Sequence, residues 1–284
     1  MRIRHATLCA LVSVSILAGC ANDALVDSLH PTAAEKEATP PSSPAGTVAA
    51  LTRLGDTSRA RGDGVSAVAF YRRAHAIDRF NAAPLIGLGQ ALGELGAYND
   101  AAAAFREALV AAPVNADALR GLGNSLLALN QPALAIDQFE AALRQTPDAR
   151  SHNGIGVARD RLGDHAGAQA AYRAGLALAP DDPMLLNNLG LSQAAAGDLD
   201  AAIGTLEQAV GQPGATSRQR QNLALVYGLA GRMGEAEKMA RTDLDDRSVA
   251  VNLASYERLR GLLGKGFDPT KTLETVMGAR AVTR

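Results

Sequence analysis

The pattern of apolar and polar positions repeats along most of this chain. A small residue returns at Ala67, Ala101, Ala135, Ala168, Ala202 and Ala236, at intervals of 34, 34, 33, 34 and 34 residues. With repeats starting at 48, 82, 116, 149, 183 and 217, further columns fall into register. Position 7 reads Leu54, Leu88, Leu122, Ile155, Leu189, Leu223, which predicts one large apolar side chain in every core layer. Position 8 reads Gly55, Gly89, Gly123, Gly156, Gly190, Ala224, and position 27 reads Ala74, Ala108, Ala142, Gly175, Ala209, Asp243. Position 24 supplies bulk with Tyr71, Phe105, Phe139, Tyr172 and Leu206, then fades to Ala240. Small residues at positions 8, 20 and 27 let two helices approach closely while large neighbours fill the remaining space. Each unit is thus expected to be a pair of helices, stacked on the next.

The turns agree with this reading. Position 15 reads Gly62, Gly96, Asn130, Gly163, Gly197, Gly231. A helix that doubles back needs a residue at positive φ, and Gly or Asn tolerates it best. Pro113, Pro147 and Pro180 stand at position 32, where the second helix must end. These offsets resemble the tetratricopeptide pattern, so the expected fold is all-α: a tetratricopeptide repeat solenoid of six helix-turn-helix repeats plus a capping helix. One such repeat cannot bury both faces of its helices and depends on its neighbours. Residues 247–264 fit the cap, with Val249, Leu253, Tyr256, Leu259 and Leu263 on one helical stripe. The repeat domain is expected over 47–264, and the weakly periodic residues 265–284 form a weakly ordered tail. The fading consensus at Asp243 marks a possible open end for self-association.

The N-terminus reads as an address. Arg2 and Arg4 precede a largely apolar run over residues 6–19, shorter than the about 20 residues that a spanning helix needs. The run ends Leu17-Ala18-Gly19-Cys20, which resembles the lipobox of bacterial lipoproteins. By that resemblance residues 1–19 are a signal peptide and Cys20 is the lipidation site. Several acyl chains anchor where one binds only marginally. The competing reading is an ordinary signal peptide with an incidental Cys. Ala21 follows in place of the Asp that marks inner-membrane retention in enterobacterial lipoproteins, so the expected location is the bacterial outer membrane, with the repeats in the periplasm. Residues 20–46 then form the lipidated Cys and a tether rich in Pro, Ala and Ser that cannot build a core. As a flexible chain it spans on the order of 25–30 Å.

Composition removes other classes. The 28 basic and 29 acidic residues contain no basic stripe for nucleic acid and no polybasic lipid patch. The two cysteines are Cys9, within the signal, and Cys20, so no thiol is left to form a disulfide or to bind a metal. His75, His152 and His165 make no zinc motif. Gly87-Leu88-Gly89 and Gly121-Leu122-Gly123 lie inside first helices, where close packing explains them better than a phosphate loop, which needs a strand before it. No nucleophile elbow is present. The expected protein is not an enzyme, has no cofactor beyond the covalent lipid on Cys20, and holds no metal.

Side chains at positions 2, 5, 6, 9 and 12 of first helices face the groove in tetratricopeptide proteins. Here that groove would show Arg120, Asn124, Asn153, Asn187, Asn188, Gln221 and Asn222. An Asn amide offers a donor and an acceptor together and so can clamp an extended peptide backbone. Asn188 and Asn222 share position 6 one repeat apart, and Arg120 could take a carboxylate in a bidentate contact. The same residues also suit a solvated groove with no dedicated ligand.

Residues 218–259 contain "RQRQNLALVYGLAGRMGEAEKMARTDL" and then "VAVNLASYERL". With the lipobox, the tether and the repeats, this resembles the TadD family, the tetratricopeptide lipoproteins of Tad/Flp pilus assembly. The resemblance implies an outer-membrane lipoprotein scaffold that binds other proteins and supports the secretin in a pilotin-like way, with secretin or other Tad components as partners. The alternative is an envelope scaffold for peptidoglycan hydrolases or proteases, or for another secretin or outer-membrane assembly machine.

Overall fold

The computed structural model describes residues 43–263, all within one compact unit. The signal peptide, Cys20, most of the tether and the tail lie outside the described residues. Thirteen helices follow one another: α1 Pro44–Ala60, α2 Gly64–Ile77, α3 Ala82–Glu94, α4 Tyr98–Ala111, α5 Ala116–Ala128, α6 Pro132–Gln145, α7 Ala149–Arg161, α8 His165–Leu178, α9 Pro183–Ala195, α10 Leu199–Gly211, α11 Ser217–Leu229, α12 Met233–Ala240 and α13 Asp246–Leu263. The described residues contain no strand.

Local chemistry sets the helix limits. Asn81, Asn115, Asp148 and Asp182 each cap a first helix with a side-chain oxygen that accepts a backbone N–H. Position 15 adopts positive φ in all six repeats, with Asn130 at 56° standing in for glycine. α1 starts at Pro44, ahead of the expected boundary at 47. Pro44 occupies the first turn, where a missing N–H costs nothing, and Ser43 Oγ accepts from Gly46 N.

Helices pair within each repeat and pack on the next. First helices also touch their counterparts: α1 meets α3, α3 meets α5, and so on to α9 with α11. Second helices keep their backbones further apart, although side chains bridge them, as His75 of α2 reaches Glu107 of α4 at 3.1 Å. The first helices therefore line the inner, concave side of the stack and the second helices fan outward.

Position 24 is the keystone of each layer. Tyr71, Phe139 and Leu206 are wholly buried, and Phe105 and Tyr172 nearly so. Each aromatic ring lies against the position-8 glycine of its own repeat. Tyr71, Phe105 and Phe139 lie also against the position-6 glycine of the following one. A Cβ on Gly123 or Gly154 would stand 2.7 or 2.4 Å from the Phe139 ring, and one on Gly89 or Gly121 would stand 2.7 or 2.3 Å from Phe105. The Gly-Leu-Gly motifs are thus packing devices.

Two expectations require correction. Leu54 does not enter a core layer: it is 48% exposed, whereas Leu88, Leu122, Ile155, Leu189 and Leu223 are buried. Position 7 packs on the preceding repeat, and no described repeat precedes α1. Nor is the far end open at Asp243. α12 stops after eight residues, and Asp243 turns back to receive Arg220 through Nε (2.8 Å) and Nη2 (2.5 Å). Beyond it, α13 covers α11 and α12 with Val249, Tyr256 and Leu259 buried and Leu253 half-buried. The Leu263 side chain lies outside the described residues.

The Asp243 carboxyl is held below its ordinary range, chiefly by the hydrogen bonds from Arg220 and also by that guanidinium's charge. A carboxylate depressed on folding adds stability above its unfolded pKa, about 4, and that contribution is lost as pH falls through the lower folded value. Thermal melts of the wild type and of Asp243→Asn should therefore differ at neutral pH and converge as the solution is acidified well below about pH 4.

Candidate functional site: the concave groove

A cleft of about 580 Å³ opens along the first helices of the first five repeats. Its walls carry Arg59, Gln90, Glu94, Arg120, Asn124, Arg150, Asn153 and Met184, and its floor includes Gly89, Gly121 and the edge of Phe105. Gly89 and Gly121 lie against the Phe105 ring, which a Cβ on either would strike. Three of the expected groove residues, Arg120, Asn124 and Asn153, meet here.

Arg120 is occupied. Its Nη1 donates to Asp148 at 3.1 Å and its Nη2 makes a short contact with Asp117. The guanidinium fork expected to receive a partner's carboxylate is thus held by two carboxylates of the chain itself. Burial alone would raise the Asp148 carboxyl, but the bonds from Ser151 and from the Arg150 backbone N–H, with the Arg120 charge, hold it low. Arg59 is similarly held by Glu94 at 2.9 Å. Asn124 and Arg150 are exposed, and their side chains have no hydrogen-bond or ion-pair partner among the described residues.

The other asparagines form a continuous ladder. Asn222 Nδ2 donates to Asn187 Oδ1 (2.8 Å), Asn187 Nδ2 to Asn188 Oδ1 (3.2 Å), and Asn188 Nδ2 to Asn153 Oδ1 (2.8 Å). A position-6 amide thus reaches the position-5 amide of the preceding repeat, over three repeats. Asn187 and Asn222 are buried, whereas Asn153 and Asn188 are half-buried at the cleft end. Gln221 does not join the ladder: its amide is wholly buried, beside Asp243.

Sequence reasoning missed a second polar cluster. Asp160 accepts from Tyr172 Oη (2.9 Å) and Ser192 Oγ (2.6 Å), and His165 Nδ1 lies 2.9 Å from it. Burial, then the Asp160 charge, pushes the Tyr172 phenol up. The available signal was the hydroxyl at position 24: Tyr71 also finds a carboxylate, Asp56, at 2.6 Å. His75 pairs with Glu107 at 3.1 Å, and burial lowers His152 against the opposing Asp148 charge. Among the described residues no His, Cys, Asp and Glu group could hold a metal, and no helix is long and apolar enough to cross a membrane.

The model of the tetratricopeptide repeat matches residues 86–150 and 153–217, the four helix pairs that line most of this groove. Over these residues the chain carries tetratricopeptide repeats. Solved structures share its fold. That of PilW, described as a widely conserved type IV pilus biogenesis factor, has a TM-score of 0.62 at 21% identity and covers 69% of this chain and 93% of its own. That of Pseudomonas aeruginosa PilF has a TM-score of 0.60 at 18% identity and covers 82% and 98%. At these identities the likeness is one of fold. The Hsp70-Hsp90 organizing protein of Triticum aestivum is 32% identical over 109 residues, 38% of this chain and 19% of its own length. The chain spans between 12% and 50% of the curated relatives that it matches. Tetratricopeptide repeats bind other proteins.

Proposed function

We propose that this tetratricopeptide repeat protein is a lipoprotein, anchored through Cys20 at the bacterial outer membrane, whose groove holds a segment of the Tad/Flp pilus machinery and supports its secretin. The observation that carries the reading is the cleft itself. Asn124, Arg150 and the outer end of the asparagine ladder stand unengaged or half-buried above a glycine floor, a surface suited to an extended segment with carbonyls to be donated to. The pilus assignment draws on the TadD-like stretch over residues 218–259 and on the fold shared with PilW, described as a type IV pilus biogenesis factor. In that stretch Arg220 and Asp243 close the last repeat, and Asn222 starts the ladder. Anchoring raises the effective concentration of the groove near membrane partners, so modest contacts suffice.

The reading expects deletion of the gene, or Cys20→Ala, to lower secretin multimers in the outer membrane and Flp pili on the cell. Quantitative blots of heat-resistant multimers and pilus counts are the measurements. Normal levels of both in the deletion strain would contradict it.

A further inference from the structure

One surface away from the groove is unlike the rest. On the edge formed by the ends of α2 and α4, Phe80 is 90% exposed, Val110 83%, Val114 64% and Ile77 45%. Phe80 and Val114 both occupy position 33, in consecutive repeats, so stacking brings their loops side by side. The third and fourth repeats carry Asp148 and Asp181 at this position and the fifth Ala215, so a large apolar side chain there belongs to the first two repeats.

These side chains are held outward. Phe80 N donates to Asp78 Oδ1 at 3.1 Å, and the next residue, Asn81, caps α3 through Ala83 N at 3.1 Å. Val114 is framed alike: Asn115 N donates to Ala112 O at 3.1 Å, and Asn115 Oδ1 receives Ala118 N at 2.9 Å. Around them stand Arg72, Arg73, Arg79 and Arg106, all exposed. None of the four pairs with a carboxylate among the described residues. The two acids nearest in sequence are engaged elsewhere, Asp78 in the loop and Glu107 with His75.

We propose that this edge rests on an anionic phospholipid surface, with Phe80 and Val114 entering the headgroup boundary and the four arginines meeting lipid phosphates. No polybasic run marks the sequence, but the fold gathers arginines of α2, its following loop and α4 beside exposed apolar side chains, the combination that holds a protein at such an interface. The occupant follows from two facts. Four exposed arginines stand against two acids, Asp78 and Glu107, at these helix ends, and the chain enters the solenoid at Ser43, only 23 residues after Cys20. The first two repeats are thus those joined most closely to the anchor, on whose reading the cellular role of this surface rests. The lipid would fix the height of the solenoid and the patch its tilt, leaving the groove on another face.

The test uses residues 21–284, which keep the whole compact unit and lack the lipidated Cys. Flotation with vesicles of phosphatidylethanolamine and phosphatidylglycerol is compared with vesicles of phosphatidylcholine alone. The protein should float with the anionic vesicles, more weakly as salt rises. Phe80→Ser with Val114→Ser should reduce binding about ten-fold or more, and Arg72→Gln or Arg79→Gln roughly five-fold each. Circular dichroism should find all variants as helical and as stable as the wild type, since these side chains are exposed. Equal flotation of the wild type and of F80S/V114S would overturn the proposal. So would Phe80-dependent self-association in sedimentation without vesicle binding, which assigns the patch to a second copy. Mass spectrometry of the full chain for acyl groups on Cys20 tests the anchor separately, so the two ideas fail independently.

Discussion

Replacing Phe139 with Ala should cost about 3–5 kcal/mol of unfolding free energy, the largest loss from any single truncation considered. Phe139 is wholly buried, and its ring fills the space left by Gly123 in its own repeat and Gly154 in the next. Removing it empties a cavity that two glycines cannot line. The reverse change probes the same contact: Gly154→Ala places a methyl 2.4 Å from the ring and should cost about 1–3 kcal/mol through overpacking. The two effects should not add. In Phe139→Leu the smaller side chain makes room, so Gly154→Ala should cost less there than in the wild type. Urea unfolding of the four proteins measures this coupling, and additive losses would show that the ring and the glycine do not meet. Because each repeat depends on its neighbours, a broken layer is expected to lower the cooperativity of the transition as well as its midpoint.

The second large effect separates structural from binding asparagines. Asn222→Ala leaves the buried Asn187 Oδ1 without its 2.8 Å donor, a loss of about 1–3 kcal/mol. A fall in partner affinity in that variant would therefore mix unfolding with lost contact. Asn124→Ala and Arg150→Ala remove exposed side chains that have no partner among the described residues. They should leave unfolding within about 0.5 kcal/mol of the wild type and weaken partner binding several-fold. Affinity lost in Asn222→Ala but kept in both surface variants would mean that the ladder serves the fold alone.

Much of this architecture was legible because its causes are local or repeat at a fixed offset. Five first helices begin at 82, 116, 149, 183 and 217 as expected, where Asn and Asp caps or a capping box at Thr216 meet the first apolar residues. The turns at position 15 followed from φ alone. The errors arose where a residue's partner lies in another repeat. Leu54 matches its column perfectly, yet its burial depends on a preceding layer. Asp243 breaks the column of small residues and looked like decay, but its partner Arg220 sits 23 residues earlier, across the helix pair.

The groove was partly legible. Positions 5 and 9 selected Arg120, Asn124 and Asn153, which do line the cleft. What each side chain is free to do was not. Arg120 is claimed by Asp117 and Asp148, and the ladder runs diagonally from position 6 to position 5, so no single column displays it. The column Gly87, Gly121, Gly154 at position 6 did carry a readable signal. Each stands two residues before the position-8 glycine, with the buried position-7 residue between, and meets the aromatic ring of the preceding repeat.

The central claim is that the concave groove holds a partner protein, and site-specific photocrosslinking in the native envelope tests it most directly. A photoreactive residue replaces Asn124 in the cleft and, in a parallel strain, Arg144 on the exposed end of α6. The account predicts that the Asn124 probe captures a secretin or another pilus-assembly component and the Arg144 probe does not. Capture of that component from Arg144 alone, with none from Asn124, would contradict it.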